Sequence, residues 1–132
     1  NIKNINFFGA VPPENVLKFM ENADLLFAQI GSDFSSAVPT KIFEYIASGR
    51  RILLGLPDGP AKDIFKDFYG VEIFNTGDIY EFQESYNRLI NSELSDVEIK
   101  FNLNHLETYY VREKSMQDFL VRFDKSLNDL FF

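Results

Sequence analysis

The sequence predicts an α/β fold: a doubly wound parallel sheet of about four strands, flanked by helices and extended by further helices at its C-terminal end. Three observations carry this. Over the first two thirds of the chain, short continuous apolar runs alternate with segments whose apolar residues recur at helical spacing. Gly and Pro stand at most junctions between the two patterns. The helical segments are long enough to act as crossovers, and strand-helix-strand units of this size build a parallel sheet with right-handed connections.

In chain order, residues 5–8 form a short apolar run closed by Gly9 and read as a first strand. Pro12 and Pro13 open a helix whose apolar positions Val16, Phe19, Met20 and Ala23 share one face. Residues 25–30 are apolar except for Gln29, the pattern of a strand buried on both sides, and Gly31 ends it. After a polar loop at 32–36, Pro39 suits the first turn of a second helix. Ile42, Phe43 and Ile46 face inward there, and Gly49 supplies a left-handed terminating position. A third strand follows at 51–54, then a turn at Pro57, Gly59 and Pro60, a short helix at 61–69 and a fourth strand at 71–74. Asp78 with Glu81, Ser95 with Glu98 and Ser115 with Asp118 each have the spacing of an N-cap answered by a carboxylate, which predicts helices from near Ile79, Asp96 and Met116. In the last of these, Met116, Phe119, Leu120, Phe123, Leu127 and Leu130 keep one apolar stripe.

Composition bounds the function. The 132 residues, 45% of them apolar with 15 Phe, suit one domain over residues 1–132 with a packed core. A net charge of -7 with scattered basic positions argues against a grip on nucleic acid, so an anionic ligand must be held by local geometry. The absence of Cys excludes a disulfide framework, a thiolate zinc site and a thiol nucleophile, and His105 alone cannot build a histidine metal cluster. No apolar run approaches the ~20 residues that span a bilayer, so a soluble, cytoplasmic chain is expected. It starts at Asn1 rather than Met, shortly before an apolar run, and reads as a piece of something longer.

In an open parallel sheet ligands bind beyond the carboxyl ends of the strands, which directs attention to the loops after Phe8, Ile30, Leu54 and Phe74. The second is the richest, with small and hydroxylated residues running into a helix start. The first amides of that helix, near Ala37, Val38, Thr40 and Lys41, lack intrahelical acceptors and carry about half a positive charge of helix dipole, which suits a phosphate. At 100° per residue Thr40 and Glu44 lie within about 40° of each other, away from the apolar stripe. A carboxylate one turn below an anion-binding helix start can accept hydrogen bonds from paired sugar hydroxyls. Phosphate above and ribose below describe a nucleotide diphosphate; the same residues also fit a plain N-capped helix with a solvent-facing Glu.

The run Val38-Pro-Thr-Lys-Ile-Phe-Glu-Tyr-Ile-Ala-Ser-Gly-Arg-Arg-Ile-Leu resembles the donor-binding signature of retaining GT-B glycosyltransferases of the GT4 type, in particular the branch carrying a Pro-Thr-Lys-x-Phe-Glu-Tyr string. Asn6-Phe-Phe-Gly-Ala-Val-Pro-Pro-Glu and Asn22-Ala-Asp-Leu-Leu-Phe are similar to that family's preceding segments, so the likeness runs in order over residues 5–92. It implies a Rossmann-like sheet belonging to a truncated GT-B C-terminal half. It also implies a part in transferring a sugar from a nucleotide-diphosphate sugar to a glycan or lipid-linked acceptor in polysaccharide biosynthesis. The expected partners are the nucleotide sugar and an N-terminal acceptor-binding domain, with peripheral membrane association of the longer enzyme; this segment calls for no metal or other cofactor.

By the same resemblance Glu44 hydrogen-bonds the ribose, while amides and hydroxyls of Ser35, Ser36, Ala37, Val38 and Thr40 surround the diphosphate. Gly9, Ala10 and Val11 would lie beside the base through main-chain groups. Lys41 is assigned a phosphate contact, with a solvated helix lysine as the other reading. Asp58, in Leu56-Pro-Asp-Gly-Pro, is assigned to the donor-facing loop, which a tight turn explains as well.

Two departures matter. The family commonly has two glutamates separated by seven residues, and here the first position is Ser36. The family's domain also begins with two more strands and with basic residues that bind the diphosphate, and this chain contains none of them. The chain alone is therefore expected to bind nucleotide weakly and to transfer no sugar, since transfer needs acceptor and donor brought together between two domains. Strand 5–8 is expected to pair directly with 25–30, or the edge to be covered by self-association.

Two other classes stay in view. A non-enzymatic regulatory module of the receiver type would need acidic residues where Gly9 and Gly55 stand, and a nucleotide-sugar epimerase would need carboxylates mostly outside this segment. His105 reads as a surface or capping residue, Asp33 as an Asx-type turn, Arg50 and Arg51 as solvated, and residues 109–114 as a place for a partner domain to dock.

Overall fold

The computed structural model describes residues 3–110. Along them run α1 (Pro13–Asn22), β1 (Leu25–Gln29), a 3₁₀ turn (Ser32–Phe34), α2 (Thr40–Ala47), β2 (Arg51–Leu56), α3 (Pro60–Phe65), β3 (Val71–Asn75), α4 (Ile79–Ile90) and α5 (Asp96–Tyr109). The helix expected from Met116 and its Ser115 and Asp118 cap lie outside the described residues.

The strands pair in the order β1-β2-β3, all parallel, with Ile52 opposite Leu26 and Val71, and Gly55 opposite Gln29 and Phe74. Parallel neighbours cannot be joined by a tight turn, and α2 and α3 are the crossovers. Alternation along β2 sends Ile52, Leu54 and Leu56 to one face and Leu53 to the other, and all four are buried. On the first face they pack in one cluster with Met20 of α1, Ile42 and Ile46 of α2, Phe65 of α3 and Leu106 of α5. On the second, Leu53 and Phe74 meet Leu89 and Phe82 of α4. Each such fully buried side chain contributes about 1.5–3 kcal/mol. The result is an α/β fold with a three-stranded parallel sheet covered by helices on both faces. Among the described residues no helix is long and apolar enough to cross a membrane.

The first of the four expected strands, at residues 5–8, is not formed. The sheet has three strands, β1 pairs only with β2, and the direct pairing of 5–8 with the β1 segment is absent. Ile5 and Phe8 are exposed and Phe7 is 94% exposed, so the run buries little of its apolar surface. Phe8 packs its ring 4.6 Å from that of Phe19 on α1, holding the segment to a helix rather than to the edge of the sheet. Apolar and β-prone residues favour a strand only where an edge receives them, and that is a non-local condition.

Boundaries elsewhere follow the local signals. Helix α2 starts one residue after Pro39, and Gly49 takes the left-handed conformation (φ 73°) that ends its turn. Strand β2 runs two residues further than expected, to Leu56, and α3 stops at Phe65 rather than Tyr69. Ser95 and Glu98 form a reciprocal capping box. Asp78 caps α4 by accepting from the Tyr80 and Glu81 N–H groups, but the Glu81 carboxylate turns away to accept from the Asn75 N–H (2.7 Å) and Nδ2 (3.1 Å). Buried Asn102 of α5 accepts from the Tyr69 N–H and donates to the Tyr69 carbonyl, at 2.9 and 2.8 Å. One side chain thereby pins the turn into β3.

Arg50 and Arg51 are not simply solvated. Arg50 Nη2 donates to the Glu21 carbonyl at the end of α1, and Arg51 Nη1 donates to the carbonyls of Leu89, in the last turn of α4, and of Ser92, in the turn beyond it, both at 2.9 Å. The last carbonyls of a helix have no intrahelical donor and sit at its negative pole, so cations belong there.

Candidate functional site

The strongest candidate lies where β1 delivers the chain to α2, at the carboxyl edge of the sheet. The 3₁₀ turn closes with the Phe34 N–H on the Gly31 carbonyl and the Ala37 N–H on the Phe34 carbonyl. Ser35 and Ser36 are exposed, and Ala37 and Val38 are half-buried as the chain turns inward. Pro39 occupies the N-cap position, and its carbonyl accepts from the Ile42 N–H. No side chain caps α2. The amides of Thr40 and Lys41, in the first turn, thus keep the orphan character and partial positive charge of a helix start.

One turn along, Glu44 stands on the half of α2 opposite the buried Ile42, Phe43, Ile46 and Ala47. Its side chain is 30% exposed, and its Oε2 lies 3.6 Å from Lys41 Nζ. Thr40 and Lys41 are exposed beside it. The arrangement presents uncapped amides, a hydroxyl, an ammonium and a partly covered carboxylate within one helical turn. Phe43 and Tyr45 pack in the core cluster, as packing residues should.

The loop after β2 comes to the same place. Gly59 approaches Ser35 so closely that a Cβ on it would sit 2.1 Å from the Ser35 carbonyl oxygen, and only a residue without a side chain fits. Asp58 is brought beside the Ser35 turn in this way, its Oδ1 2.9 Å from Lys62 Nζ. Gly9, Ala10 and Val11 form the approach to α1; the first two are exposed and Val11 is half-buried. Among the described residues no hydrogen bond links them to the α2 loop.

Two groups at this edge escaped sequence reasoning. Lys62 Nζ donates to Asn75 Oδ1 at 2.9 Å as well as to Asp58, and Thr76 Oγ1 donates to the Ile30 carbonyl at 2.7 Å. The available signal was a lysine in the helix after the third loop and a polar pair where β3 ends. His105 sits within an aromatic cluster, 5.1 Å edge-on from Phe68 and close to Tyr109 and Tyr110. Among the described residues no group of three or more His, Asp or Glu is placed to hold a metal ion.

A depression of about 650 Å³ lies at the opposite, amino edge, lined by Asp24, Arg50, Arg51 and the turn after α4. Its arginines are engaged by helix carbonyls. A smaller aromatic cleft of about 260 Å³ opens beside β1 between Phe27, Phe74 and Phe82. No protein-family model matches the chain, and neither does any curated protein or solved structure compared with it.

Proposed function

We propose that this chain is the donor nucleotide-sugar-binding part of a glycosyltransferase, belonging to a Rossmann-like GT-B C-terminal half that serves transfer from a nucleotide-diphosphate sugar to a glycan or lipid-linked acceptor. The observation that carries the reading is the uncapped start of α2 at the carboxyl edge, with Glu44 partly exposed one turn below it. The diphosphate takes the Thr40 and Lys41 amides and the hydroxyls of Ser35, Ser36 and Thr40, where the helix dipole favours negative charge. A carboxylate offers acceptors only, and that of Glu44 receives the two ribose hydroxyls. The likeness of residues 38–53 to the donor signature supports the same assignment from the sequence side. The acceptor domain and the chemical step belong to a partner half, so binding rather than turnover is the activity this chain carries.

Calorimetric titration with uridine and guanosine diphosphates, on wild type and Glu44→Ala, tests the reading. Loss of two charge-assisted hydrogen bonds is expected to weaken binding about a hundredfold or more. Equal affinity in the two proteins refutes the ribose assignment.

A further inference from the structure

Resting on the nucleotide-diphosphate reading, we infer that Lys62 is the cation that neutralises the diphosphate, and that Asp58 occupies its ammonium when no nucleotide is bound. Asn75 ends β3, and Glu81 accepts from both its backbone N–H and its Nδ2. With the amide turned this way, Asn75 Oδ1 faces Lys62 Nζ at 2.9 Å. Asp58 Oδ1 takes a second hydrogen of the ammonium, also at 2.9 Å. The two partners differ in surroundings: the Asp58 side chain is 91% exposed, whereas that of Lys62 is 34% exposed.

That difference sets which contact gives way. Asn75 is locked to the protein, while an exposed carboxylate leaves an ion pair for water at little cost. A phosphate oxygen arriving at the ammonium replaces one anionic acceptor with another, and the third ammonium hydrogen supplies a further donor. Location supports the assignment. Gly59, next to Asp58, lies against the Ser35 carbonyl, and Thr76, next to Asn75, bonds the Ile30 carbonyl. The loops following β1, β2 and β3 are therefore joined along one edge, with Lys62 among them. Charge also calls for such a group, because a helix start offers only about half a positive charge.

The test is calorimetric titration of the 132-residue chain at low salt with uridine and guanosine diphosphates and the matching monophosphates. Lys62→Met is expected to weaken diphosphate binding about tenfold or more, with a much smaller effect on the monophosphates. Lys62→Arg, which keeps the charge, is expected to retain most of the affinity. Asp58→Asn, which removes the competing anion from an exposed position, is expected to tighten diphosphate binding about threefold. The inference is overturned if wild type binds a diphosphate and a cooperatively melting Lys62→Met binds it equally, or if Asp58→Asn weakens binding. Absence of diphosphate binding by wild type is the distinct result that removes the nucleotide reading of α2 and this inference together.

Discussion

Gly59→Ala brings the fold and the site into one measurement. A methyl at this position would stand 2.1 Å from the Ser35 carbonyl oxygen. A relaxed carbon-oxygen contact needs about 3.3 Å, so the two loops must separate by about 1 Å. The obstacle is backbone, and no rotamer change relieves it. Inserting a methyl into packed structure costs about 1–3 kcal/mol, and the lower part of that range applies because the Ser35 turn is exposed. Less conformational freedom in the unfolded chain offsets up to about 1 kcal/mol. The net expectation is a loss of about 1 kcal/mol, or about 4 °C in melting temperature. Because the displaced atoms carry Ser35, affinity for nucleoside diphosphate should fall with the same substitution. Urea denaturation and calorimetric titration read the two effects separately. A variant that melts within 1 °C of wild type and binds diphosphate as well would show that the loops after β1 and β2 are not in contact.

Two further substitutions probe what holds the edges in place. Asn102→Ala leaves the Tyr69 N–H and carbonyl without their partner and should cost about 2–3 kcal/mol in urea denaturation, accompanied by faster hydrogen exchange of the Tyr69 amide; unchanged exchange there would refute the pinning role. Arg51→Met strips a charged donor from two carbonyls at and just beyond the end of α4 and should cost about 1–3 kcal/mol, whereas Lys41→Met, at an exposed ion pair, should stay within about 0.5 kcal/mol. Equal stability losses in these last two would remove the distinction drawn between a helix cap and a surface pair.

Local features were readable from residues alone, and non-local ones were not. The apolar stripe of α2, its start beside Pro39 and the placement of Thr40 and Glu44 on one side follow from a 3.6-residue period acting over a single turn. The Ser95 and Glu98 box is local for the same reason. Residues 5–8 carry the composition of a strand, yet pairing depends on an edge that their own sequence does not describe. Glu81 has capping-box spacing but is drawn to Asn75, a partner that only the end of β3 brings near. Asn102 meets Tyr69 across 33 positions, and Lys62 meets Asn75 only because α3 is folded against β3. The candidate site was legible as one helix start; its assembly from three loops was not.

Arg51 begins β2 and Arg50 directly precedes it, and their side chains reach in different directions. One reaches the end of α1 and the other the end of α4, helices that belong to different layers. A dipeptide therefore works as a pivot pin through the sandwich at one end of the sheet. The two helix layers are thereby tied at one point, on the rim opposite the one where the three loops meet.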